Sequence, residues 1–256
     1  MNQEKENSFV ELVNIVAKLA LTKKIPEYLL PLQITISFRN LEEAFPLIPP
    51  NLLSIRPSSR HGLGVFANQE IKQGDIICLY PADYIFVPNS IKEKLKSTTQ
   101  GNWCSLNSNN DNFDAHYTMN LLDNKKICAD PNKYSSLFSA HMINDSVSCD
   151  TIEKLKDIHS RYDTCDINEF GKSVSKYLLD TKKYSNVDLI PSKHFCYVKA
   201  LKDIHPNEEL LTSYGMTYWF NRSDCGTKYQ NYILTLNETQ RRLFVNLLVE
   251  THSVLI

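Results

Sequence analysis

The sequence predicts an α+β fold, mainly β with helical flanks. Two observations predict it. Between Leu52 and Ala200 the chain breaks into short apolar runs bounded by Gly, Pro or Asp, which is the pattern of strands. Towards both ends, apolar residues recur at helical spacing instead. A chain of 256 residues that is 42% hydrophobic carries enough apolar surface for one large core and a helical lobe.

At the start, Phe9, Leu12, Val13, Val16, Leu19 and Ala20 form one stripe, so an amphipathic helix is expected over about 8–24. That stripe must cover either the rest of the fold or a partner. Pro26, Pro31, Pro46, Pro49 and Pro50 then break the chain into short elements, making 1–51 an N-terminal helical flank. Strands are expected at Leu52–Arg56, Gly64–Ala67, Ile76–Tyr80, Ile127–Ala129, Leu189–Ile190 and Phe195–Ala200, with a turn at Pro206-Asn207 and a further strand leading into Tyr214.

Two polar inserts interrupt them. The first, about 90–115, is rich in Asn and Ser and reads as a loop after a short helix. The second, about 146–185, holds Ile152-Glu153-Lys154-Leu155-Lys156 and Val174-Ser175-Lys176-Tyr177-Leu178-Leu179, two helices expected to join through Gly171. A last helix is expected over about 238–249, within a C-terminal helical flank at 221–256 that leaves 52–220 as the central domain.

Composition narrows the function classes. A formal net charge of −1 offers no surplus of Lys and Arg for neutralising phosphates, so no direct nucleic-acid binding is expected. Seven scattered cysteines, without a C-x-x-C pair, read as reduced thiols. Cys149, His159 and Cys165 fall in a polar helical segment and are not read as a metal site. No signal peptide or bilayer-length apolar window is apparent, so an intracellular protein is expected, in nucleus or cytoplasm. No nucleophile elbow, H-E-x-x-H or P-loop points to hydrolase chemistry.

Chemistry concentrates in two distant motifs. Arg60-His61-Gly62-Leu63-Gly64-Val65-Phe66-Ala67 places two glycines where the backbone can approach a ligand closely or take positive φ. A lone G-x-G is usually a turn, and the third glycine and helix of a dinucleotide site are missing here. Asn207-Glu208-Glu209-Leu210-Leu211-Thr212-Ser213-Tyr214-Gly215 ends a strand-turn-strand run on a tyrosine. By itself that is a strand-ending aromatic after a solvated acidic edge.

With Phe138-Ser139-Ala140-His141 and Asn186 between them, these motifs resemble the SET domain, the fold of most protein-lysine methyltransferases that use S-adenosyl-L-methionine. The resemblance spans about 52–220 and implies a fold of several small β-sheets with a helical insert and terminal helices. It implies that His61, Gly62, Leu63, Gly64, His141, Asn186 and Trp219 contact the cofactor. Tyr214 would stand beside the methyl-transfer site and Tyr80 would wall the lysine channel. The insert would help form the substrate groove, and Thr212 stands where many relatives carry the aromatic that influences how many methyls are added.

Two departures qualify it. Ala140 replaces the asparagine of the usual central motif, a contact for which Asn144 or Asp145 is a candidate substitute. The run Ala-His-Met-Ile-Asn-Asp-Ser is similar to a divergent branch from algae, protists and large viruses. Only Cys225 follows Tyr214, so the zinc cluster that often closes the fold is not expected. The implied function is methyl transfer to a lysine side chain of a protein, a histone tail by family analogy or a non-histone protein. The alternative is a catalytically inactive SET-like module that binds a peptide or chromatin partner.

Overall fold

The computed structural model describes residues 11–15, 27–41, 48–49, 51–86, 103–104, 117–122, 125–160, 167–215 and 218–219. Its contacts divide the chain into two compact units. The first comprises Met1–Arg56, Val65–Ile143 and Asn186–Leu210, and the second Pro57–Gly64, Asn144–Ser185 and Leu211–Ile256.

The first unit is built on β-strands. Strand β1 (Leu53–Pro57) pairs with β2 (Leu63–Ala67), both of which run into the second unit at one end. Strand β3 (Ile76–Tyr80) pairs antiparallel with β10 (Cys196–Ala200), which also pairs antiparallel with β9 (Val187–Pro191). Having a neighbour on each side, β10 is almost wholly buried, and Cys196-Tyr197-Val198 is correspondingly an unbroken apolar run. A second antiparallel sheet has the order β5-β4-β7-β6, from Trp103–Cys104, Tyr84–Phe86, Lys126–Cys128 and Thr118–Asn120.

Helix α1 (Leu30–Leu41) contributes Ile34 and Phe38 to the core, with Val13 from the helical residues 11–15. Ile77, Cys78, Ile127 and Val198, each fully enclosed, form its centre. Arg39 of α1 donates to both carboxylate oxygens of Asp83, at 2.6 and 3.3 Å, and one of these oxygens also accepts the Asp130 N–H at 2.9 Å. After β10 the chain turns back through the bridge Ile71↔Ile204, and Asn207 adopts a left-handed φ of 70°, a conformation that Asn tolerates better than most residues.

The second unit is helical around one short parallel pair. Strand β8 (Asn144–Asp145) lies beside β11 (Leu211–Thr212), with Leu211 opposite Asn144 and Thr212 opposite Asp145. Helix α2 (Cys149–Ser160) begins after Ser148, whose hydroxyl accepts the Thr151 N–H at 3.4 Å as a cap. Helix α3 (Ile167–Tyr184) packs against α2 and reaches β11.

The expected α+β architecture of several small sheets is observed. Six of the expected strands appear within a residue or two, and the strand before Tyr214 is β11. Strands β4, β5, β6 and β8 were not expected, because runs of two or three residues carry no legible alternation. Gly171 is a correction: it lies inside α3 and does not join two helices. Gly171, Val174 and Tyr177 fall three apart on the buried face, so the glycine is the smallest member of the packing stripe. Most of 8–24, most of 90–115, the helix at 238–249 and the flank 221–256 lie outside the described residues.

The Arg39–Asp83 pair joins helix to sheet with a carboxylate that is 6% exposed. Removing its guanidinium leaves that charge poorly compensated. Arg39→Ala is expected to cost about 2 kcal/mol of stability in urea unfolding, and Arg39→Lys less, because the charge is kept but the two-pronged geometry is lost.

Candidate active site

In the second unit, the glycine motif and the tyrosine motif are both tied to β8. The loop before β2 is closed by the Ser58 N–H donating to the Gly62 carbonyl at 2.8 Å and the Arg60 N–H donating to the Ser58 hydroxyl at 2.8 Å. Gly62 takes a φ of +51°. The buried amide of Asn144 donates to the carbonyls of His61 at 2.9 Å and Leu63 at 3.0 Å, gripping the main chain on either side of that glycine. Among the described residues, nothing lies within 4 Å of the place where a Cβ on Gly62 would stand. The loop is held by Asn144, with His61 and Leu63 exposed.

Asp145, the next residue of β8, is a buried carboxylate with four donors. One oxygen accepts the Tyr177 hydroxyl at 2.8 Å, the Trp219 indole N–H at 2.9 Å and the Tyr214 N–H at 3.2 Å. The other accepts the Val147 N–H at 2.9 Å. A carboxylate removed from water is costly unless such donors replace its hydration, and here they do.

The Tyr214 ring stacks on Trp219 with centroids 5.8 Å apart and meets the edge of Tyr218 at 4.7 Å. Gly215, with a φ of +79° and no neighbour within 4 Å of its Cβ position among the described residues, ends the motif. The Ser213 hydroxyl accepts the Gly215 N–H at 3.2 Å. Burial first, and the Asp145 charge second, push the Tyr177 pKa up.

The second unit thus contains six of the candidate residues: His61, Gly62, Leu63, Gly64, Tyr214 and Trp219. His61, Gly62 and Leu63 are exposed, which fits the close approach of a ligand that the cofactor reading requires of them, whereas Gly64 is buried in β2. Tyr177 was missed by sequence reasoning. An aromatic on the buried stripe of a helix looks like core packing, and no local spacing links it to Asp145 or Tyr214.

Tyr80, His141 and Asn186 belong to the first unit. His141 is buried in a short 3-10 helix, Ala140–Met142, edge-on to Tyr80 at 6.2 Å and Tyr117 at 6.0 Å between ring centroids. Neither ring nitrogen has a hydrogen-bond partner among the described residues. Burial first, and the Arg39 charge second, push its pKa down to about 3 against the pull of Asp130. The imidazole is therefore neutral at physiological pH. Asn186 is fully enclosed, its amide donating to the Glu209 carbonyl at 2.8 Å and to the Glu208 carboxylate at 3.2 Å.

Among the described residues no group of His, Cys, Asp and Glu side chains could hold a metal ion, and no helix is long and apolar enough to cross a membrane. No disulfide joins Cys78, Cys128, Cys149 or Cys196. Cys104, Cys165 and Cys225 bear on neither statement, since the first is described only in its backbone and the others not at all.

A family model described as SET domain matches residues 62–215. A solved structure of a Plasmodium falciparum protein, described as a candidate histone methyltransferase, is 17% identical, with 66% of this chain and 97% of that one covered at a TM-score of 0.32. At that score the likeness adds nothing to the family match. No curated protein matches the chain.

Two outcomes test the site's construction. Asn144→Ala removes two buried hydrogen bonds to the loop and is expected to cost about 2 kcal/mol in urea unfolding. For His141 the folded pKa lies below the unfolded value of about 6.5, so its contribution is complete above that pH and is lost as pH falls towards 3. Between pH 7 and pH 5 the protein is expected to lose about 2 kcal/mol that a His141→Asn variant does not lose, as read by urea unfolding at both pH values.

Proposed function

This chain belongs to the SET-domain family, and from that premise we propose that it is a protein-lysine N-methyltransferase that uses S-adenosyl-L-methionine. The observation that carries the reading is the β8 pair: Asn144 holds the glycine loop and Asp145 holds the main chain of Tyr214, so adjacent residues fix both motifs in one unit. A ligand-binding loop and a reactive-site tyrosine need such a common support, because small misplacements of reacting groups are costly.

In this reading the exposed His61, Gly62 and Leu63, with the buried Gly64 beside them, hold the cofactor's amino-acid end, while His141, Asn186 and Trp219 carry the remaining contacts implied by the family. When bound, S-adenosyl-L-methionine supplies an electrophilic methyl group on a positively charged sulfur. The protein's task is to present a neutral amine in line with it. A free lysine, with a pKa of about 10.4, is neutral only about once in a thousand near pH 7, a penalty of roughly 4 kcal/mol. An apolar channel, with Tyr80 as its aromatic wall, lowers that penalty by disfavouring the charged ammonium.

Tyr214 acts by orientation. Its hydroxyl accepts or donates a hydrogen bond that aligns the amine, and the proton leaves to water. His141, held neutral with a pKa of about 3, is too weak a base to take it, which agrees with a mechanism that requires no side-chain base. The substrate is a lysine-bearing protein or peptide, a histone tail by family analogy or a non-histone protein, and the protein works in the nucleus or cytoplasm.

The test is methyl transfer from labelled cofactor to histones and to cell extract. Wild type is expected to label protein, and Tyr214→Phe to lose about a hundredfold in rate while still binding S-adenosylhomocysteine in calorimetry. Absence of any S-adenosylhomocysteine binding by the wild type would overturn the proposal. Binding without transfer would instead identify an inactive module.

A further inference from the structure

We propose that Tyr177 and Asp145 form a positioning pair through which helix α3 of the insert braces the Tyr214 segment. The proposal rests on the methyltransferase reading for its kinetic consequence, but not for its structural one. It gives the insert a task separate from shaping a substrate groove.

The contacts converge on a few residues. Asp145 accepts from the main chain of Tyr214 and from the indole of Trp219, on which the Tyr214 ring stacks. Tyr177, fully buried on α3, donates to the same carboxylate oxygen as the Tyr214 N–H. The main chain of Tyr214 is thus joined through one carboxylate to β8 and to a helix more than thirty positions earlier in the chain. Strand pairing cannot do this work, because β11 ends at Thr212, two residues before the tyrosine.

The chemistry suits a permanent brace. A phenol hydroxyl donates one directional hydrogen bond, which here satisfies the Asp145 oxygen that also holds the Tyr214 N–H. Its pKa is pushed up, so it keeps its proton over the whole range in which an enzyme works. Packing alone would need only a ring, and phenylalanine would fill the same volume.

The test compares Tyr177→Phe and Asp145→Asn with wild type by hydrogen exchange and by kinetics, with Lys176→Ala, an exposed neighbour on the same helix, as control. Both variants are expected to speed amide exchange of Leu211–Gly215 about tenfold or more while leaving Cys196–Ala200 unchanged. They are also expected to lower kcat about tenfold with the KM for S-adenosyl-L-methionine within about twofold, and the double variant to cost little more than either single one. Unchanged exchange at 211–215 in a folded variant would overturn the brace. So would a fall in kcat with an equal rise in KM, the mark of general damage. If wild type transfers no methyl group, the methyltransferase reading fails, and the exchange arm alone decides the brace. Should Tyr177→Phe not fold, Asp145→Asn decides in its place.

Discussion

One buried carboxylate organises the second unit. Asp145 carries a charge that cannot remain enclosed without donors, and its four donors come from β8's own turn, from the insert helix and from the tyrosine segment. The requirement works in both directions. The carboxylate is tolerated because those elements meet there, and the elements are held in register because none can leave without stranding the charge. Asn144 extends the same constraint to the glycine loop, since its two hydrogen bonds grip the main chain on either side of Gly62.

The first unit is held by different means. Its centre is apolar and close-packed around β3, β9 and β10, and the Asp83 carboxylate within it is satisfied by Arg39 and the Asp130 N–H. His141 differs, a buried ring whose nitrogens have no hydrogen-bond partner among the described residues and which its surroundings keep uncharged. Natural cores seldom retain such a group for stability alone. The two units therefore divide the work between an apolar framework and a polar network.

Much of this was legible in the sequence, for identifiable reasons. The glycine loop and the tyrosine motif are local signals, readable because a left-handed turn at Gly62 demands a residue type and not a distant partner. The long strands β3 and β10 were legible because burial on both faces produces continuous apolar runs. Strand β8 was not. It is two polar residues long, and Asn144-Asp145 invites a reading as a turn; its identity as a strand depends wholly on β11. Gly171 misled for the opposite reason: glycine usually punctuates a chain, yet here helix packing wanted a small residue. Tyr177 was hidden because its partner lies at position 145, on a carboxylate shared with Tyr214 and Trp219, a conjunction that only the folded chain creates.

The pairing of β8 with β11 also has a temporal side. The hydrogen bond from Tyr214 to Asp145 closes a loop of 69 residues that includes α2 and α3, and so depends on contacts remote in sequence. Such contacts form late, because the entropy of closing a long loop must be met before the pairing returns anything. During synthesis the glycine loop, β3 and both insert helices emerge from the ribosome before Tyr214 does. A nascent chain can thus build most of its framework while the two motifs remain unjoined, and their common support on β8 is completed as a single late event.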